Sequence, residues 1–503
     1  MKVVSLKQSR RGSVLVNSVF IVVLLVMASF AFMRWAADEA HQADYELART
    51  QAYYVAQQGL FEKSLAQMRK TKPSLLPRAE EFYPSGDVSW EGQYVGSYSE
   101  PSMRRVSDET IQGVFASRYY YNMSSKGTVL LNSNNPKEQP TEIIRQVSLR
   151  AKLKQFSSYM YLTDEEQTVF NEIIWFWTPD TLYGPVHSNA AIGIKLQPMF
   201  YHQVSTCADD FIRGLGYNPW FHPDFPPIFN AQRVEFPYQA ETLRAHAQVV
   251  TNQNGRLQTR MQGLGGGLYY EQWPFGTPYD QRAVVQTGTI GYGNEVGVFV
   301  EGELELKGIE FAGRLTIGTS GNMRLINDVR YAGWTIAMTE ALQDVPLDYP
   351  HMLGLISEQD LIVANTWENG RDNGLYDRAG RHDACHIIIT AALVALNESF
   401  HFENQNDWYD TYCYCPPCPP SQGAPDERGT IWLRGSVAQR RRGYVHRSTC
   451  GGTGYAKDYL YDWRLHNGPP PFFLEAMDDS VALFDIYWWQ EENVGSRLNT
   501  EEG

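Results

Sequence analysis

From Ser13 to Met33 the chain carries no charged residue, and Asn17 is the only strongly polar one. At about 1.5 Å per residue this stretch makes roughly 32 Å of helix, enough to cross a bilayer core. Four cations precede it: Lys2, Lys7, Arg10 and Arg11. That end is expected to stay cytoplasmic, with everything after Arg34 outside. A cleaved secretory signal has a shorter apolar core, roughly 7–15 residues, and a small-x-small cleavage site. Here the polar part runs on helically through residues 36–40 and 53–60, with no proline before Pro73. The sequence predicts one helix over 13–70, apolar first and amphipathic after. Asn17, Phe20, Leu24, Leu25 and Phe30 are expected to face the membrane or neighbouring helices.

The basic leader ending in Gly12, the apolar helix and the run Tyr54-Val55-Ala56-Gln57-Gln58-Gly59-Leu60 resemble the N-terminus of type IV pilin-like proteins, specifically the PilX-type minor pilins. The resemblance implies cleavage by a prepilin peptidase between Gly12 and Ser13, and contact with other pilin-like subunits through the helix. Pilins usually carry Glu at the fifth mature position, where this chain has Asn17. That departure, with more than 400 residues beyond the helix, implies a minor or tip position rather than a repeating subunit. A plain signal anchor holding an extracytoplasmic domain is the other reading of the same residues.

With 503 residues the chain has room for two or three domains. Thirty Tyr, 23 Phe and 13 Trp, with only 20% charged residues, suit an exported, β-rich body. A net charge of −14 and the lack of a long basic stripe argue against nucleic acid. The one basic cluster, Arg440-Arg441-Arg442, reads as a solvated turn.

Along the chain, Pro73, Pro77, Pro84 and Gly86 mark a break. Residues 88–155 carry strand-like runs at 116–121 and 143–151, with turns expected at Ser124-Ser125-Lys126-Gly127 and over 132–136. They predict a small antiparallel β layer on the extracytoplasmic half of the helix. Residues 156–285 are dense in aromatics and proline and weakly periodic. From about Thr287, short apolar runs alternate with Gly, Asn and Asp, as at 296–300, 314–317, 353–356, 386–389 and 430–433. Such spacing predicts a parallel β-solenoid, with an ordinary sandwich as the alternative. The map is thus a leader (1–12), a transmembrane and amphipathic helix (13–70) and an α/β head region (71–155). An aromatic-rich linking region (156–285), a β-solenoid domain (286–475) and an acidic tail (476–503) complete it. The tail's apolar run, 481–489, is expected to dock on the body.

The D-x-x-x-G-P-V-H-x-N element from Asp180 to Asn189, the G-x-x-V-E-G stretch beginning at Gly297 and the late runs at 435–443 and 454–465 resemble a family of bacterial envelope proteins with PilX-like N-termini. The resemblance bears on architecture and implies no activity.

Three groups are candidate sites. His187 suits a base or ligand because its pKa lies near neutrality. Together with Asn189, it equally suits bonding backbone where the coils begin. The six cysteines are Cys207, Cys385, Cys413, Cys415, Cys418 and Cys450. Past the membrane they favour disulfides, with fifteen possible pairings. The C-x-C-x-x-C run with Cys385, His382 or His386 would also suit zinc, and a free or redox-active thiol is the third reading. Tyr461, Asp462 and Arg464, beside Asp458 and Tyr459, suit a ligand site or, more plainly, a cap on the last coil.

No nucleophile elbow, phosphate loop, dinucleotide fingerprint or zincin motif is present in the sequence. The expectation is a non-enzymatic, cofactor-free and metal-free structural or assembly protein. Its helix would sit in a bacterial inner membrane, with its head outside or at a pilus tip for adhesion or capping. The alternative is an anchored carbohydrate-active or carbohydrate-binding protein.

Overall fold

The computed structural model describes residues 11–106, 120–131, 140–168, 171–341, 344–366, 368–369, 386–403, 427–447, 453–479 and 481–498. A helix, α1, runs Arg11–Gly59 and continues through a π-helical turn, Leu60–Leu65, into Ala66–Met68. It stops before a 3₁₀ turn at Pro73–Leu75, where proline cannot extend it.

The second half of α1 lies on a small antiparallel sheet. Its strands are Gly86–Trp90, Gln93–Arg105, Tyr120–Leu131 and Thr141–Leu153, with a short piece at Glu81–Phe82. The expected turn at 124–127 is instead mid-strand. Gly127 is there to let the helix in. A Cβ on it would sit 2.1 Å from the Ala52 carbonyl oxygen and 2.4 Å from the Ala56 nitrogen. The expected turn over 132–136 and most of the run at 116–121 lie outside the described residues.

The strand Phe484–Leu498 closes one edge of this sheet, pairing antiparallel with Thr141–Leu153. The apolar run of the tail is therefore docked, as expected, but on the small sheet. Everything between Lys154 and Leu483 is inserted between two neighbouring strands.

That insertion forms two larger sheets. In one, parallel pairing aligns Val298, Ile317, Leu355, Leu393, Val437, Tyr161, Val186 and Val204 in a single row. In the other, Met261, Leu306, Leu325, Val363 and Phe402 form a second row. Antiparallel hairpin strands at 257–290 make this second sheet mixed. From Val296–Val300 to Phe400–Phe402 the chain passes back and forth between the two, and Glu427–Arg441 spans both. The rows are almost fully buried and form the core. Residues of 156–285, expected to be a linking region, supply strands to both sheets, because Tyr161–Glu165 pairs directly with Glu427–Arg441. Solvent is excluded from the end of the basic cluster: Arg442 is 2% exposed and paired with Glu166 at 2.8 Å.

Candidate functional site

The surface most clearly built for contact is the first half of α1. Val14 through Met33 are exposed along the whole stretch, including Asn17, Phe20 (63%), Leu24 (50%), Leu25 (61%) and Phe30 (65%). Water does not tolerate a helix apolar all round, so its natural surroundings are lipid or other helices. The helix is long and apolar enough to cross a membrane. Ser18 and Ser29 donate their hydroxyls back to the carbonyls of Val14 and Leu25, at 2.7 and 2.8 Å. This satisfies them within the helix. Asn17 is left as the polar side chain with hydrogen-bonding capacity to spare, one turn into the apolar stretch. Gly12 and Ser13 lie inside α1, at its first turn.

Burial begins at Ala48 and follows a helical stripe through Ala52, Val55, Ala56, Gly59 and Leu60. Small residues line this stripe because the sheet approaches closely. A Cβ on Gly59 would meet the Tyr98 ring at 2.6 Å, and one on Gly96, in the facing strand, would come within 3.3 Å of the Val55 side chain. The alanine-rich element singled out in the sequence is thus the seam between helix and sheet.

His187 and Asn189 belong to a buried network. The His187 ring reaches Ser205 Oγ at 2.8 Å and Asn189 Oδ1 at 3.2 Å. Asn189 Nδ2 donates to Asp164 Oδ1 and to the Val234 carbonyl, while the Val234 N–H donates to Asn189 Oδ1. Burial pushes the His187 pKa down to about 4, leaving a neutral, fully engaged ring. Tyr461, Asp462 and Arg464 form a second network. Arg464 pairs with Asp462 at 2.6 Å, both almost wholly buried, and donates to the carbonyls of Tyr349 and His351. Tyr461 donates to the Ser157 carbonyl at 2.7 Å. These bonds tie residues 461–464 to residue 157 and to residues 349 and 351.

Cys207 has no disulfide partner among the described residues, and its Sγ lies 3.6 Å from Asn189 Oδ1; burial raises its pKa. Cys385, Cys413, Cys415, Cys418 and Cys450 lie outside the described residues. The disulfide and zinc expectations for that cluster lie outside them too. Among the described residues, no group of three or more His, Cys, Asp and Glu is disposed to hold a metal.

Sequence reasoning missed the buried ionic centre at Glu305, which is 2% exposed. Arg260, Arg282 and Arg324 converge on it at 2.7, 2.9 and 3.2 Å. Burial alone would raise its pKa, but hydrogen bonds from Arg282 and Arg260 outweigh that and hold it below the ordinary range. The three arginines come from positions far apart in the chain, so no local motif announced them.

No family model matches this chain, and no curated protein does. Among solved structures it is similar to the competence-associated pilin ComZ from Thermus thermophilus. The TM-score is 0.30 and the identity 10%, over 88% of this chain and 97% of that one. A likeness of that size carries no functional inference.

Proposed function

We propose that this chain is a type IV pilin-like membrane protein, in a minor or tip position, that carries a large β body outside the membrane. What supports the reading is the division of α1. Its first half is exposed and apolar on all sides, and its second half is sealed to an antiparallel sheet through alanine and glycine. One continuous helix doing both is what a filament of bundled helices with external heads requires. Asn17 offers a neutral amide where helices in lipid gain about 1 kcal/mol from a shared hydrogen bond. We read the two sheets of the body as coils of a parallel β-solenoid. The alternation of strands between them and the straight rows of apolar residues support this. Its role is adhesion or capping rather than catalysis, because His187, Asp462 and Arg464 are committed to structural bonds.

The test is the mature N-terminus, read by mass spectrometry on membrane and sheared-surface fractions. The expected result is a chain beginning at Ser13, with Gly12→Val retaining the leader. An intact Met1 recovered only from membranes would overturn processing and with it the filament role.

A further inference from the structure

A cleft of about 750 Å³ opens on the body, away from α1 and the small sheet. This is within the range of roughly 300–1,000 Å³ typical of small-ligand sites. One wall is the irregular segment 172–182, which presents Trp175 and Trp177. The facing wall is the strand Thr453–Tyr461, which presents Tyr455, Lys457 and Tyr459.

The walls are fixed to each other. Lys457 Nζ pairs with Asp180 Oδ1 at 2.8 Å across the cleft, and Tyr444 donates to Glu172 at 2.9 Å. Trp175 is seated where Gly214 and Gly193 leave room, since a Cβ on either would approach the ring to 2.8 and 3.2 Å. The Trp177 N–H donates to Asp180 Oδ2 at 3.1 Å, and Lys195 Nζ stands 5.0 Å from the ring centre. A lining held this way is preorganised for a ligand.

Its chemistry selects among ligands. Two of the cations on the walls are paired, Arg442 with Glu166 and Lys457 with Asp180, while Lys195 stands over the Trp177 ring and Glu172 accepts from Tyr444. An anion would have to compete with carboxylates already in position. A wholly apolar guest would strand the charged groups. Flat aromatic faces beside closely spaced donors and acceptors suit a molecule with apolar C–H faces and a hydroxyl rim. Tyr459 adds an independent sign. It is 9% exposed, lines the cleft, and its hydroxyl has no hydrogen-bond partner among the described residues. A buried donor left so is costly unless something arrives to accept from it.

We propose that this cleft binds a neutral oligosaccharide, its sugar faces on Trp175 and Trp177 and one hydroxyl taken by Tyr459. The inference does not depend on filament assembly, and a chain that keeps Met1 would still carry the site.

The test uses the full chain in a zwitterionic, sugar-free detergent. The probes are three neutral trisaccharides (of glucose, N-acetylglucosamine and mannose) and trigalacturonate as the anionic control. Binding is read by saturation-transfer NMR and tryptophan fluorescence. At least one neutral trisaccharide is expected to bind with Kd below about 1 mM. Tyr459→Phe is expected to weaken it roughly 2- to 10-fold without lowering the unfolding temperature. Trp177→Ala is expected to weaken it at least about 5-fold. No neutral binding at about 10 mM, binding indifferent to both substitutions, or tighter binding of trigalacturonate would each overturn the proposal.

Discussion

Gly127 and Glu475 represent the two kinds of single position on which this fold depends. Gly127 has ordinary strand geometry, so its value is the missing side chain against the helix backbone. Gly127→Val would force the helix off the sheet at an overpacking cost of about 3 kcal/mol, read as a lower urea midpoint. Glu475 is half-buried, and burial raises its pKa from 4.5 to about 7. A carboxyl raised in the folded state contributes its stability below the unfolded value and loses it as pH rises through the folded one. Glu475→Gln should therefore match the parent near pH 5 and exceed it by about 2 kcal/mol near pH 8. A thermal scan at both values checks this, and an equal gap at both would refute it. Both roles are invisible in one dimension. Gly127 sits in a Ser-Ser-Lys-Gly string that reads locally as a turn, and Glu475 is buried by residues remote in sequence.

Elements with strong periodicity are legible in the chain. The α1 helix, its stop at Pro73 and the runs at 296–300, 314–317, 353–356 and 386–389 all appear where the pattern puts them. The irregular stretch 156–285 is not, because its strands are two to eight residues long and their partners lie up to hundreds of positions away. One wall of the cleft is built from that stretch and the other from Thr453–Tyr461, so no single local motif discloses it. The strand Phe484–Leu498 announces by its apolar run that it docks, but not where. It covers the strand Thr141–Leu153, and Glu491 pairs there with Arg145, whose side chain is 5% exposed. Glu491→Ala should cost about 1–2 kcal/mol, given that the carboxylate itself is partly exposed. Deleting residues 484–503 should leave an unpaired strand edge and give aggregates on size exclusion. A monodisperse truncated protein would show that this strand is dispensable.

For the molecule as a whole, the inserted body enters and leaves through adjacent strands, and the crossing is locked. The Lys154 N–H donates to the Leu483 carbonyl at 2.8 Å, and the Ala476 N–H to the Lys154 carbonyl at 3.0 Å. This joint has a mechanical consequence. A pull on the body tugs the Leu153 and Phe484 ends of one antiparallel pair in the same direction, so the pair is not peeled apart. The load passes sideways into the ladder between Thr141–Leu153 and Tyr120–Leu131, whose hydrogen bonds lie across the line of force and must break together rather than one after another. The same two-stranded stem resists twisting that a single linker would allow. A body dragged by whatever it holds would transmit tension to the helix instead of swivelling or tearing free.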